Sequence, residues 1–285
     1  MEGLNARLVV TCSDRPGIIA AVARFLYERG ANIVSSDQHS TDPEDGRFFL
    51  RMAVHFRDEG ADLDAVRAEF EAEIAGPFGM DVRFRDARVR PRLAVLVSRE
   101  EHCLLDLLWR ARRGELAADV QAVVANHDVH RGDVEALGVP YHHVPVRPGG
   151  KAAAESAMLA LLAGRVELVV LARYMQILSG DFLDRIGCPV INIHHSFLPA
   201  FAGAQPYARA YERGVKVIGA TAHYVTEELD AGPIIAQDVA HVDHRAGPAD
   251  LARIGRDIER VVLARAVVSH LDDRVLTDGN RTVVF

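Results

Sequence analysis

Residues 190–199 read VINIHHSFLP, an apolar run that ends in an amide, two imidazoles and a hydroxyl. Strand alternation puts Asn192 and His194 on one face. Both side chains can donate hydrogen bonds, so together they could stabilise a developing oxyanion. About three dozen residues later a second apolar run, 219–225, leads into Thr226-Glu227-Glu228-Leu229-Asp230-Ala231-Gly232-Pro233. Asp230 sits in a loop closed by Gly and Pro. A carboxylate brought beside His194 could fix the imidazole's protonation and move a proton. On chemistry alone, other readings stay open. His194 and His195 can be ordinary polar residues at a strand end. A metal hydrolase would use His194, His195, His223 and Asp230 as ligands, but no HExxH or comparable spacing supports it. Residues 147–152 (RPGGKA) lack the GxxxxGK[ST] spacing of a phosphate loop and read as a loop and helix start. Asn126-His127-Asp128 follows a strand and either shapes a pocket or simply turns. His142 and His143 read as structural, although His143 ends a strand and could lie near the site, and Cys103 reads as packing.

The elements around these residues alternate. From residue 93 onward, strands are expected at 93–97, 120–125, 141–144, 168–172, 190–193 and 220–225. The earlier ones are Val/Leu-rich runs suited to a parallel sheet covered on both faces. Helices are expected at 102–113 and 152–163, with a long amphipathic one at 248–271. The chain closes in a hairpin over 274–285, turning at Asp278-Gly279-Asn280. This is an open, mostly parallel α/β domain, in which ligands sit at the carboxyl ends of strands.

The N-terminal part has a different pattern. Strands are expected at 7–12, 32–41, 47–56 and 80–85. One helix carries Ile18, Val22, Phe25 and Leu26, and a second carries Leu63, Val66, Phe70 and Ile74. The order is βαββαβ, a ferredoxin-like unit. The turn Asp14-Arg15-Pro16-Gly17 has helix-start chemistry, with Asp as the cap. Residues 85–92 (RDARVRPR) make a linker, so the expected division is 1–87 and 88–285.

Composition narrows the function classes. The 285 residues carry 33 Lys+Arg against 40 Asp+Glu, a formal charge of −7, which argues against a nucleic-acid partner. Three scattered cysteines form neither a disulfide framework nor a zinc motif, which suits a reducing cytoplasm. The N-terminal residues show no secretory signal, and no apolar run is long enough to span a bilayer.

The run NIHHSFLP followed by GATAHYVTEELDAGPII resembles the signature of the formyltetrahydrofolate-dependent formyltransferase superfamily. Asn192, His194 and Asp230 match its catalytic Asn, His and Asp one for one. Residues 171–178 (LARYMQIL) resemble its folate-pocket loop, which implies folate contacts from Tyr174, Met175, Gln176, Ile177, Leu178, Val225, Thr226, Glu227 and Leu229. The block TCSDRPGIIAAVARFLYERGANI resembles an ACT domain, a regulatory βαββαβ module. The fusion of the two, with HHS after the catalytic strand, resembles the formyltetrahydrofolate deformylase family over essentially the whole chain. Glycinamide ribonucleotide formyltransferases place a Gly/Asn-rich loop after their first strand to hold a phosphate; here Ser98-Arg99-Glu100-Glu101-His102-Cys103-Leu104 has no glycine and two acids. The tRNA-formylating branch adds a C-terminal barrel and a basic surface, and this acidic chain ends in a helix and a hairpin. One departure from the family pattern is Gln205-Pro206-Tyr207-Ala208, where a basic or polar residue and a histidine are expected.

The resemblance implies hydrolysis of 10-formyltetrahydrofolate to formate and tetrahydrofolate, with water replacing the amine acceptor. Formate would feed purine synthesis and the reaction would balance one-carbon folate pools. Asn192 and His194 would hold the formyl oxygen; Asp230 would orient the water, accept its proton and help protonate N10. No metal and no cofactor is expected. The ACT module implies an amino-acid effector, such as glycine or methionine, at Asp14, Arg15, Pro16, Gly17, Ile18, Asn32 and Ile33, in a homodimer or homotetramer. That turn serves equally as a purely structural one, with the ACT domain only assembling the oligomer. Competing readings are a formyltransferase to an amine acceptor and a catalytically idle folate- or amino-acid-binding regulator.

Overall fold

The computed structural model describes residues 3–58, 60–199 and 206–285. The chain divides into two compact units. The first is Met1–Arg90 with Asp273–Leu276 and Val283–Phe285; the second is Pro91–Asp272 with Thr277–Thr282.

The first unit contains β1 (Leu4–Ser13), α1 (Ile18–Glu28), β2 (Ala31–Ser40), β3 (Arg47–Phe56), α2 (Leu63–Phe70) and β4 (Asp81–Asp86). After α2 the chain continues through a π turn, Glu71–Ala75, and a short α3, Gly76–Phe78. The sheet is antiparallel in the order β2-β3-β1-β4, with Leu8 opposite Met52 and Val10 opposite Leu50. Alternation in β1 and β3 sends Leu8, Val10, Leu50 and Met52 to the helical side. There they meet Ile18, Val22, Phe25 and Leu26, spaced to form one face of α1. Phe25 and Phe70 pack edge to face at 5.1 Å and tie the two helices together.

Two sequence expectations change here. Asp14 does not cap α1. The N-cap is Gly17, in a left-handed conformation (φ 94°) without a side-chain cap, while Asp14 accepts a hydrogen bond from Ser40 Oγ. Asp62 does cap α2, accepting from the Asp64 and Ala65 amides at 3.1 Å each. The ends of the C-terminal hairpin, expected with the second domain, cluster with the first unit. Val9 and Phe49 point to the sheet face opposite the helices, and Leu276, Val283 and Phe285 cover them. Apolar side chains on that face need such a cover.

The second unit is a seven-stranded sheet in the order β11-β10-β9-β8-β5-β6-β7. Its strands are β5 (Arg92–Val97), β6 (Asp119–Ala125), β7 (Tyr141–His143), β8 (Leu168–Ala172), β9 (Val190–His194), β10 (Val217–Tyr224) and β11 (Ile234–His241). Strands β5 to β9 pair in parallel, and every residue of β8 is buried, as a sheet covered on both faces requires. The helices are α4 (His102–Arg113), α5 (Arg131–Ala136), α6 (Lys151–Leu162), α7 (Gly180–Ile186), α8 (Pro206–Glu212) and α9 (Pro248–Leu271). The hairpin strands are β12 (Val275–Asp278) and β13 (Arg281–Val284). Strand β10 pairs antiparallel with β9, and β11 antiparallel with β10. The edge strand β11 escapes a reading of periodicity because its burial is irregular along IIAQDVAH. Strand order reverses beside β5, between β6 and β8, which opens a crevice at the carboxyl ends of the parallel strands.

Candidate active site

Strand β9 carries Asn192 and His194 to its carboxyl end. In the antiparallel pair with β10, Asn192 lies opposite His223 and His194 opposite Thr221. A bulge between Ala222 and His223 shifts the register of β10 against β11. Bulges re-aim side chains in this way. The chain then enters the loop bearing Asp230, which adopts φ 55°. Aspartate is among the few residues that occupy this left-handed region at low cost. The loop is closed by Tyr224 N–H donating to the Pro233 carbonyl at 2.9 Å. A Cβ on Gly232 would lie 1.9 Å from the Tyr224 oxygen, so only glycine fits there.

This path brings Asn192, His194 and Asp230 together. His194 donates from Nδ1 to Asp230 Oδ2 at 3.2 Å. That hydrogen bond is the main reason the Asp230 carboxyl is held below the ordinary aspartate range; the nearby His194, His223 and His195 rings add to it. His223 Nε2 lies 3.2 Å from Asn192 Nδ2 and 3.8 Å from Asp230 Oδ1, and His223 Nδ1 lies 2.8 Å from the Tyr224 carbonyl oxygen. Burial pulls the His223 imidazole below its ordinary value. Burial, aided by the Arg173 charge, pushes His195 down to about 4, so this ring is neutral at physiological pH. His194 Nε2 is buried and has no hydrogen-bond partner among the described residues. A buried polar atom without a partner has a ligand to explain it or a stability cost to bear.

These residues line one cavity of about 260 Å³. Its walls also contain every residue expected at the folate pocket: Tyr174, Met175, Gln176, Ile177 and Leu178 on one side, Val225, Thr226, Glu227 and Leu229 on the other. The first loop starts at a left-handed residue and is pinned by hydrogen bonds at two points. Arg173 enters it at φ 61°. The Met175 amide donates to Ser98 Oγ at 3.0 Å. Ser179, which caps α7, donates to the buried Glu155 carboxylate from N at 2.9 Å and from Oγ at 2.6 Å.

A buried polar cluster stands behind Arg173. Glu259, 1 % exposed, sits in the middle of α9. Its carboxylate accepts from His102 Nε2 at 2.9 Å and from Tyr207 Oη at 2.5 Å, and lies 3.4 Å from Arg173 Nε. Burial alone would raise this carboxyl; the His102 hydrogen bond, the Arg173 charge and the Tyr207 hydrogen bond outweigh burial and hold it below its ordinary value. Gly255 makes room for the arrangement, because a Cβ there would lie 1.9 Å from Tyr207 Oη. Sequence reasoning did not pick out Glu259, although it lies four residues beyond Gly255 on the same buried helix face. Nor did it give His223 a role beyond that of a metal ligand. Tyr207 belongs to the segment that departs from the family pattern, of which Gln205 lies outside the described residues. His102, Cys103 and Glu259 bring three potential ligand atoms within 4.8 Å of one another. Burial keeps the Cys103 thiol strongly protonated, and Arg173 places a cation beside Glu259, so this donor set suits an ion-pair cluster better than a metal.

In the first unit, Asp14, Arg15, Gly17 and Ile18 line a concave surface with Gln38, His39, Ser40 and Phe48. Pro16 is not in its wall. Asn32 and Ile33 are not either: they lie near the start of β2, while the wall uses its end, roughly 20 Å away along the strand. No helix of the described residues is long and apolar enough to cross a membrane.

Comparison with known proteins follows the same division. Residues 91–267 match the formyl transferase family and residues 6–71 the ACT domain family. The chain is 57% identical over 279 residues to a formyltetrahydrofolate deformylase of Mycobacterium bovis, covering 98% of this chain and 90% of that one. It is 50% identical to a formyltetrahydrofolate deformylase of Bacillus subtilis, covering 99% and 94%. The crystal structure of a formyltetrahydrofolate deformylase from Pseudomonas syringae pv. tomato superposes with a TM-score of 0.95 at 47% identity, covering 100% of this chain and 96% of that one.

Proposed function

We propose a mechanism for a chain that belongs to the formyltetrahydrofolate deformylase family, an enzyme with an ACT domain and a formyltransferase-like domain that hydrolyses 10-formyltetrahydrofolate to formate and tetrahydrofolate. The observation that carries the assignment of roles is the shared cavity of Asn192, His194 and Asp230 with the loops expected to hold folate. Folate lies between residues 174–178 and 225–229, with its formyl group directed at the carboxyl end of β9. Asn192 Nδ2 and His194 Nε2 hold the formyl oxygen as it gains negative charge. The His194 donor role requires the imidazolium, since Nδ1–H is already committed to Asp230. The ionised Asp230 offsets that positive charge. Its Oδ1, turned away from His194, orients the attacking water. The water oxygen bonds to the formyl carbon while the C–N10 bond breaks. One water proton passes through Asp230 to N10, and the other leaves with formic acid as it ionises. None of these steps requires a metal or a cofactor.

The ACT unit would take an amino acid such as glycine or methionine at the concave surface beside Asp14 and Gly17, and would assemble the enzyme as a homodimer or homotetramer in the cytoplasm. Formate from the reaction would supply purine synthesis. The deciding experiment incubates the enzyme with 10-formyltetrahydrofolate and follows formate and tetrahydrofolate together. Equimolar release is expected. Formyl transfer to an added amine without formate would support the transferase instead, and folate binding without turnover would leave only a binding protein. Titration calorimetry with glycine and methionine checks the effector; no heat with either removes it.

A further inference from the structure

We propose that His223 is a positioning residue that fixes the amide of Asn192 with its donor, not its acceptor, toward the formyl oxygen. The inference rests on the role given to Asn192 above and deepens it. An asparagine side chain is nearly symmetric in shape but opposite in polarity at its two ends. Only the NH₂ end can stabilise an oxyanion; the carbonyl end would repel it. Some neighbour must therefore decide which way the amide faces.

The neighbour is set by strand register. His223 lies directly opposite Asn192 in the β9–β10 pair. Its Nδ1 is 2.8 Å from the Tyr224 carbonyl oxygen, which can only accept, so Nδ1 carries a proton. The ring is 2 % exposed and burial disfavours its cation. Among the groups facing it, Asp230 favours the cation and His194 opposes it; burial prevails. A neutral ring protonated at Nδ1 leaves a lone pair at Nε2. That atom lies 3.2 Å from Asn192 Nδ2 and accepts one of its two N–H groups. The second N–H remains for the cavity that Asn192 lines. A flipped amide would set its oxygen against the Nε2 lone pair. At 3.8 Å, Asp230 Oδ1 is too far from Nε2 for a hydrogen bond, so it does not compete for that position.

The test is a double-mutant cycle on formate release. His223→Leu is close in volume and has no acceptor. It is expected to lower kcat about tenfold to a hundredfold, below the roughly 10²–10³ set by complete loss of an oxyanion donor. Combined with Asn192→Ala, it should change kcat by no more than about twofold, because the group it acts through is gone. His223→Gln, with an oxygen to accept from Asn192 and a nitrogen to donate to Tyr224, should recover most of the rate. Losses that multiply in the double variant, or that fall on KM rather than kcat, overturn the proposal. If Asn192→Ala alone keeps full kcat, it is the functional reading that fails. Should His223→Leu not fold, long-range ¹H–¹⁵N spectra of the wild-type protein at neutral pH decide the matter. A neutral His223 protonated at Nδ1 is required; an Nε2–H tautomer or an imidazolium refutes it.

Discussion

Replacing Asp230 with asparagine tests the centre of the mechanism with little structural cost. The residue sits at φ 55°, where asparagine is tolerated as well as aspartate, whereas alanine would add backbone strain to the chemical change. The substitution removes one negative charge and the acceptor site for water at Oδ1. It also weakens the charge-assisted hydrogen bond to His194 Nδ1, now 3.2 Å long. Hydrogen bonds to charged groups contribute about 1.5–3 kcal/mol, which is roughly tenfold to a hundredfold in rate if the bond is needed to hold the His194 ring in place. General acid–base catalysis by a positioned carboxylate contributes about 10²–10⁴ in rate. The two effects share one group and do not simply multiply, so kcat is expected to fall about 10²–10⁴-fold. The folate walls at 174–178 and 225–229 are untouched, so KM should stay within about threefold. Initial rates are read from formate by a coupled dehydrogenase and from tetrahydrofolate by absorbance, with folding checked by circular dichroism. Full kcat in Asp230→Asn, or a defect confined to KM, would show that Asp230 does not handle the water.

The buried cluster behind Arg173 gives two stability tests. Glu259→Gln leaves Arg173 without its buried counter-charge and should cost about 3–5 kcal/mol in urea unfolding at neutral pH. The Glu259 carboxyl is held lower in the folded chain than in the unfolded one. Its stabilisation is therefore full above the unfolded-state value and lost as pH falls through the folded-state value. The gap between wild type and variant should narrow on acidification; a gap that widens in acid contradicts the assignment. Gly255→Ala pushes a methyl group into Tyr207 Oη and should cost about 1–3 kcal/mol, read as a lowered Tm. An unchanged Tm would mean that α8 yields freely and that Tyr207 is not held against Glu259.

Much of this was legible from residue types because periodicity and catalytic chemistry both leave local marks. The run LVVLA at 168–172 is apolar throughout because β8 is covered on both faces. Ile18, Val22, Phe25 and Leu26 mark the buried face of α1 directly. Asn192, His194 and Asp230 could be paired in advance because the runs NIHHSFLP and GATAHYVTEELDAGPII resemble a family signature; as a strand-end amide, imidazole and carboxylate alone they left other readings open. What escaped depends on partners distant in sequence. Asp14 has the composition of a cap, yet its carboxylate is taken by Ser40, which arrives from another strand. Strand β11 is defined by its hydrogen bonds to β10, not by its own alternation. Glu259 reads as a charge on a long helix until Arg173, His102 and Tyr207 converge on it.

Strand β9 is where the sheet changes from parallel to antiparallel pairing, with β8 on one side and β10 on the other. That position accounts for the site. The parallel neighbour β8, with Leu171 beside Asn192, ends near the end of β9, so its following loop, 173–178, walls the cavity at the carboxyl end. The antiparallel neighbour runs the opposite way, so side chains from its far half come into register with Asn192 and His194 on β9. An antiparallel pair sets residues directly opposite one another at close range, which a slanted parallel ladder does not. Asn192 therefore faces His223 and can be held by it. Moving β10 by one residue would put Ala222 or Tyr224 in that place and turn every following side chain to the other face. The chemistry at this cavity is thus encoded as much in the register of one strand pair as in the identities of Asn192, His194 and Asp230.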